Sequence, residues 1–231
     1  LFGERDILKS IQLMPGVAAA GEGNSGFFVR GGNVDQNLIL LDEATVYNPS
    51  HLLGFFSVFN SDAIKDVTLY KSGVPAQFGG RSSSVLDVHM NDGNLKRYSV
   101  QGGIGLISAR LTAEGPIVKD KGSFIISGRR TYLDVFIPLL VPDQDDMSLY
   151  FYDLNAKVNY KLNDRNRLFL SGYFGRDVLG VSDFGFNWGN ATGTLRWNHV
   201  FNQRLFSNTS FIFSNYDYKF GISAGGTSFD I

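Results

Sequence analysis

The sequence predicts an α+β unit over residues 1–93, followed over residues 94–231 by about seven antiparallel strands of membrane-crossing length, an incomplete β-barrel. Three observations predict it. Residues 150–162 alternate: Tyr150, Tyr152, Leu154, Ala156, Val158, Tyr160 and Leu162 share one face, and Phe151, Asp153, Asn155, Lys157, Asn159 and Lys161, all polar but the first, share the other. Period 2 held this long exceeds the usual five or six residues of a globular strand and suits the roughly 9–11 of a tilted transmembrane strand. The connections alternate as well: short polar turns at 118–122, 163–166 and 202–204 are separated by longer segments at 138–148 and 178–187. That asymmetry is the habit of outer-membrane barrels. Finally, only 19% of the 231 residues are charged, while Gly (27), Phe (20) and Tyr (10) are plentiful, a mixture that argues against helical bundles and disordered chains.

In the first unit, Ile7, Leu8, Ile11 and Met14 fall at helical spacing over residues 4–14, and Pro15-Gly16 stops the helix. A glycine-rich stretch, 21–26, leads to Phe27-Phe28-Val29. Short strands are expected at 37–41, 66–70 and 84–89, with a capped helical turn beginning at Ser61-Asp62. Beyond residue 94 no helical period is evident. Apolar residues sit on even positions over 98–106 and on odd positions over 107–117, which calls for a bulge or tight hairpin near Ser108. Gly189, Ala191, Gly193, Leu195, Trp197 and Phe201 form one face of another strand, with His199 on it near the strand's end, against Asn190, Thr192, Thr194, Arg196 and Asn198. Leu168, Leu170 and Phe174 repeat the theme, and 205–221 is strand-like with mixed phase. About seven strands do not close a bacterial barrel, which takes an even number from eight upward, so the chain is read as part of a longer one.

Other classes of function find little footing. A net charge of −1 removes the electrostatic case for nucleic-acid binding. The absence of cysteine excludes disulfides and thiolate chemistry. No apolar run reaches the ~18 residues of a membrane helix. Gly103-Ile104-Gly105 lacks a third glycine, with Ser108 in its place, and no P-loop, G-x-S-x-G or H-E-x-x-H motif occurs. Asp143, Asp145 and Asp146 read as a solvated acidic loop.

The first unit carries a resemblance. Phe28-Val29-Arg30-Gly31-Gly32, then Leu38-Ile39-Leu40-Leu41-Asp42 with Val46-Tyr47-Asn48, resembles the plug domain of TonB-dependent outer-membrane receptors. The run from Ala63 through Lys71-Ser72-Gly73 and on from Pro75 to Val88 is similar to that plug's next signature. The wording of 47–60 and of 78–88 resembles the Bacteroidetes-type receptors, and Glu114-Gly115-Pro116-Ile117 with Ser127-Gly128-Arg129-Arg130 fits the opening hairpins of such barrels. Two departures stand out: Asp42-Glu43 where many members have Asp-Gly, and Lys71-Ser72-Gly73 where the basic residue usually precedes glycine directly.

The resemblance implies a plug (1–93) inside a barrel of about 22 strands, of which 94–231 supply the first. It implies an outer-membrane active transporter that captures an extracellular ligand, with no cofactor and no covalent chemistry. TonB and its energising inner-membrane proteins would be partners, through a segment upstream of the plug. The ligand class stays open among siderophore, cobalamin, oligosaccharide and peptide, and a surface lipoprotein lid is admitted. Arg30 and Lys71 are expected to latch the plug to the wall. Tyr47, Asn48, His51, Phe55 and Phe56 are expected to contact ligand, set against the reading that the apolar ones are plug core and His51 a structural histidine. Arg81 reads as a turn residue. The rival functions are a passive outer-membrane pore or adhesin without TonB coupling, and a soluble β-rich carbohydrate-binding protein.

Overall fold

The computed structural model describes residues 5–140, 147–181, 183–224 and 227–230. The chain runs α1 (Ile7–Gln12), β1 (Val17–Ala19), β2 (Phe27–Val29), β3 (Asn37–Leu41), β4 (Ala44–Thr45), β5 (Ser50–His51), β6 (Phe56–Ser57), β7 (Ile64–Tyr70) and β8 (Ser84–Met90). It continues β9 (Ser99–Ile104), β10 (Ser108–Val118), β11 (Gly122–Thr131), α2 (Leu133–Leu140), β12 (Ser148–Asn163), β13 (Asn166–Val181), β14 (Phe184–Asn202), β15 (Leu205–Ala224) and β16 (Thr227–Asp230).

α1 starts where the Asp6 carboxylate accepts the Lys9 amide at 3.1 Å, and it ends three residues before Pro15, shorter than the spacing suggested. Leu8 and Ile11 enter the core, whereas Met14 lies past the helix and is exposed. The turn at 61–63 is capped by Asn60, whose side-chain oxygen takes the Asp62 amide at 3.1 Å. A mixed sheet in the order β4-β3-β8-β7 carries the domain, with β3 parallel to β8 and the rest antiparallel. Its core gathers Leu8, Phe27, Val29, Ile39, Leu41, Val58, Phe59, Leu86 and Val88. Apolar residues from five segments bury one another here, which gives this small unit its own hydrophobic centre.

Among the described residues, strands β9 to β16 form an eight-stranded sheet in strict sequence order, every neighbouring pair antiparallel, and the sheet is not closed on itself. That is one strand beyond the count expected from sequence. The phase change near Ser108 is a tight hairpin, Ile104 pairing with Ala109. The long connection expected at 178–187 is not one: β13 and β14 stay paired to Val181–Phe184. Gly180 and Gly185 pair within the ladder, and β14 and β15 reach 19 and 20 residues. The connection after β11 begins with α2, a helix of eight residues that includes Pro138 and is too short to leave a readable period. The acidic cluster of Asp143, Asp145 and Asp146 lies outside the described residues.

One face of this sheet lies against the N-terminal domain. On β12 the covered face is Phe151, Asp153, Asn155, Lys157 and Asn159, all buried, while Tyr152 and Leu154 on the other face are exposed. The usual amphipathic order is inverted: polar side chains are inside and apolar ones outside. A sheet built this way suits a membrane protein with a polar lumen.

Candidate functional site

The outer face has a vertical order. Cross-strand pairing aligns Phe124, Val158, Leu170, Leu195 and Phe211 in one apolar row. Above it, Arg176 and Asp217 bond to each other across Gly189, the residue that pairs with both. Below it, Asn166 accepts from the Trp197 indole at 2.9 Å and faces the His199 ring at 2.7 Å, with Phe201 edge-on to that ring. From Asn166 to Arg176 along β13 is about ten steps of ~3.4 Å; at a ~40° tilt the apolar band is about 25 Å tall, the height of an outer-membrane barrel's lipid belt.

The inner face meets the N-terminal domain in two charged clusters joined by a seam of hydrogen bonds and one ion pair. Nearer the short turns, Lys157 reaches Asp42 Oδ2 at 3.1 Å and Asp92 Oδ1 at 3.1 Å. It also donates to the Met90 carbonyl at 2.9 Å. Two beta-strand neighbours complete this cluster: Asn159 donates to the Asp92 carbonyl at 2.6 Å, and Arg196 of β14 bonds Glu43 at 2.9 Å. Behind Asp42 stands His89, 3.7 Å from its carboxylate and 3.3 Å from that of Asp87. The carboxylates of Asp42 and Asp87 hold the imidazole in its charged form, pushed up to about 10. Burial pushes the Asp42 carboxyl up, but His89, Lys157 and the Met90 amide outweigh it and hold it below its ordinary value.

Nearer the other end, His51 is wholly buried under the wall. Its Nδ1 lies 2.7 Å from Asp177 Oδ2, and its Nε2 lies 3.3 Å from Asp153 Oδ2 and 3.2 Å from the Tyr173 hydroxyl. The next residue, Leu52, donates its amide to Asp177 Oδ1 at 2.7 Å. Arg129 of β11 donates through Nε and Nη2 to Asp153 at 2.9 and 2.6 Å, and through Nη2 to the Ser57 carbonyl at 2.8 Å. Asn190 grips the backbone of Asn48 from both sides, accepting its amide at 3.3 Å and donating to its carbonyl at 2.7 Å. Between the clusters Asn60 donates to Ser127 at 2.8 Å, Arg110 donates to Asp62 at 2.8 Å, and the buried Asn155 amide makes no hydrogen bond.

The residues expected from sequence divide. His51 and Phe56 are buried, at 1% and 3% exposure, inside the domain–wall contact, so neither presents a surface to a ligand. The reason is chemical: the wall places carboxylates around the imidazole, and Phe56 packs with Leu52 against Phe151. Tyr47 and Phe55 are exposed. Tyr47 and Asn48 line a cavity of about 420 Å³ with Asp35, Leu53 and Arg81. Of the expected latch, Arg30 is exposed in a turn at φ 49°, and Lys71 donates to the Pro15 carbonyl at 2.8 Å within its own domain. Among the described residues, the side-chain bonds to the wall include those of Asp42, Glu43, His51, Asn60, Asp62 and Asp92 on one side, to Arg110, Ser127, Asp153, Lys157, Asp177 and Arg196 on the other. Sequence flagged the β12 members only as the polar half of an alternation, and the signal that marks them is the mixture of signs on that face.

Residues 2–85 match the family model of the TonB-dependent receptor plug domain. A comparison with curated protein sequences gives no match. Among solved structures, the chain is similar to the siderophore receptor PirA from Acinetobacter baumannii, at 14% identity and TM-score 0.65 over 95% of this chain and 38% of that one. It is similar to the copper transporter OprC at 12% identity and TM-score 0.66, over 94% and 35%. It is also similar to BauA, the ferric preacinetobactin receptor of Acinetobacter baumannii, at 10% identity and TM-score 0.64, over 91% and 35%. The chain thus spans less than two fifths of the length of these structures, and at such identities the likeness shows the fold alone. The plug match and the inverted antiparallel sheet place the chain in the outer membrane.

Proposed function

With residues 2–85 a plug domain of the TonB-dependent receptor kind, we propose that the protein containing this chain is an outer-membrane active transporter. It binds an extracellular ligand and imports it to the periplasm with energy supplied by TonB and its inner-membrane partners. The observation that carries this reading is the chemistry of the plug–wall contact. A plug that must both seal and move needs contacts that break and re-form in water, and here they are ion pairs and hydrogen bonds from Asp42, His51, Asn60 and Asp62 to β10–β13. A passive pore has no use for a folded domain held this way inside its wall.

The division of labour follows. Residues 1–93 are the plug, and 94–231 are the first strands of a barrel of about 22. Tyr47, Asn48 and Phe55 contact the ligand from the plug side, with His51 and Phe56 supporting them from beneath. Arg30 and Lys71 latch the plug to wall that β9–β16 do not form. The ligand is a siderophore, cobalamin, oligosaccharide or peptide; the wording of 47–60 and 78–88 favours the Bacteroidetes type, in which a surface lipoprotein lid is a further partner.

The test uses the full-length protein in cells. Isotope-labelled ferric siderophore, cobalamin, oligosaccharide and peptide are offered in turn, with TonB present and deleted. Accumulation of one probe only when TonB is present is expected. Accumulation that survives the loss of TonB overturns active transport in favour of a passive pore.

A further inference from the structure

We propose that His51 is a proton-operated clamp: as imidazolium it fastens the plug segment 50–57 to β11, β12 and β13, and as neutral imidazole it lets that segment loosen.

The geometry sets the two states. Both ring nitrogens face the wall, Nδ1 toward Asp177 at 2.7 Å and Nε2 toward Asp153 at 3.3 Å. A neutral imidazole has one N–H and serves one of these carboxylates; the imidazolium serves both. In the neutral form Nε2 is left to accept from the Tyr173 hydroxyl, 3.2 Å away, and gives nothing to Asp153. Charge bookkeeping points the same way. The groups facing the ring are Asp153, Asp177 and Tyr173, and Arg129 is bonded to Asp153, so the cluster sums to zero with His51 charged and to −1 with it neutral. All of these side chains are buried, and an unbalanced charge there is costly. Phe151 adds to the bias, stacked on the imidazole at 4.1 Å and 5°. A flat aromatic face favours a cation over it.

Burial lowers the affinity of His51 for its proton, but the charge of Asp177 and the bonds to Asp153 and Asp177 reverse this, and the net shift is upward from 6.5. A group raised on folding gives its full stabilisation below 6.5, and that stabilisation is lost as pH climbs through the raised value. The clamp therefore holds in full below 6.5 and slackens as pH climbs through the raised value. What it fastens is definite. Leu52 donates to the same Asp177, Arg129 holds Ser57 through its carbonyl, and Asp6 and Lys9 of the plug hold Ser57 and Phe55 from the opposite side. Leu52 and Leu53 both sit in the left-handed region, at φ 48° and 57°, so the segment stores strain that the clamp restrains. Gly175, facing Asp153 across the strand pair, leaves room for the arrangement: a Cβ there would meet the Tyr173 hydroxyl and the His51 ring.

A nitroxide on Leu53→Cys of the full-length protein in lipid vesicles reads the segment directly, because that side chain is exposed. Between pH 5.5 and 9 the label is expected to pass from restricted to mobile, with a midpoint above 6.5. In His51→Gln it is expected to be mobile throughout. Asp177→Asn keeps an oxygen for the Leu52 amide but removes one carboxylate from the ring, and should move the midpoint down by about one pH unit. A wild-type signal that does not change with pH overturns the clamp, and so does a midpoint shared by wild type and Asp177→Asn. If His51→Gln does not assemble, the Asp177→Asn midpoint decides alone. The readout needs no ligand and no TonB, so it stands apart from the transport assay.

Discussion

Lys157 of β12 ends 3.1 Å from the carboxylate of Asp42, a plug residue 115 positions earlier, and both side chains are only 4% exposed. Such a pair gains little over an apolar contact when intact, yet removing Lys157 leaves the buried Asp42 with His89 at 3.7 Å as its remaining cation, at a cost of up to about 3 kcal/mol. Lys157→Met is therefore expected to loosen the plug sharply in the full-length protein, seen as protease access to residues 42–92 and a lower melting midpoint. The double variant Lys157→Met/Asp42→Asn should recover a large part of the loss. If the double variant is as weak as the single, the pair is not what joins the plug to this strand.

The same cluster sets a pH window. Asp42, held below its ordinary value, contributes above pH 3.8 and loses that contribution as pH falls through its lowered value. His89, pushed up to about 10, contributes in full below 6.5 and progressively less as pH rises toward 10. Both contributions are complete between about 4 and 6.5. Melting midpoints taken from pH 5 to 10 should fall on the alkaline side. His89→Gln should flatten part of that fall and leave the portion due to His51.

The outer band predicts a contrast between faces. Leu170 sits in the middle of the row Val158, Leu170, Leu195, Phe211 and is 56% exposed. A lysine there meets hydrocarbon, at about 2–4 kcal/mol near the midplane. Leu170→Lys is expected to lower folding yield into vesicles and to weaken the gel shift on heating. The adjacent Ser171, on the inner face, should take threonine with little effect. Equal tolerance at both positions would remove the bilayer from the outer face.

How much of this was legible in the sequence varies by element. Strand β3 lies where its apolar run stands, and the alternation of β12 is the alternation seen in its burial. What periodicity cannot say is what covers a polar face, since a lumen and open solvent accept the same side chains. That is why Asp153, Asn155 and Lys157 read from sequence only as the polar face of a barrel strand, with nothing to say that the plug lies on them. The sequence alone does not show what surrounds the His51 ring, because the carboxylates that claim it lie 102 and 126 residues away, beyond any local pattern. α2 escaped because eight residues give barely two turns. The departure Asp42-Glu43, by contrast, was visible from sequence, and it marks a real contact.

Asp42 and Glu43 form the two-residue turn between β3 and β4, and both lie in the left-handed region, at φ 45° and 76°. Asp-Gly fits such a turn with little strain, whereas a glutamate at the second position costs roughly 1–2 kcal/mol. What glutamate gains is a carboxylate 2.9 Å from Arg196 on β14, with both side chains partly exposed at 34% and 21%. A pair of that exposure is worth about 0–1 kcal/mol, so strain outweighs it and the residue serves the plug–wall bond more than plug stability. Glu43→Gly removes both the strain and the bond, and Glu43→Ala removes only the bond. The expected order of melting midpoints is glycine above wild type above alanine. A cycle with Arg196→Met should return a coupling of at most about 1 kcal/mol between Glu43 and the wall. If the glycine variant melts below the alanine one, the turn is not strained, and Glu43 holds its place through the ion pair alone.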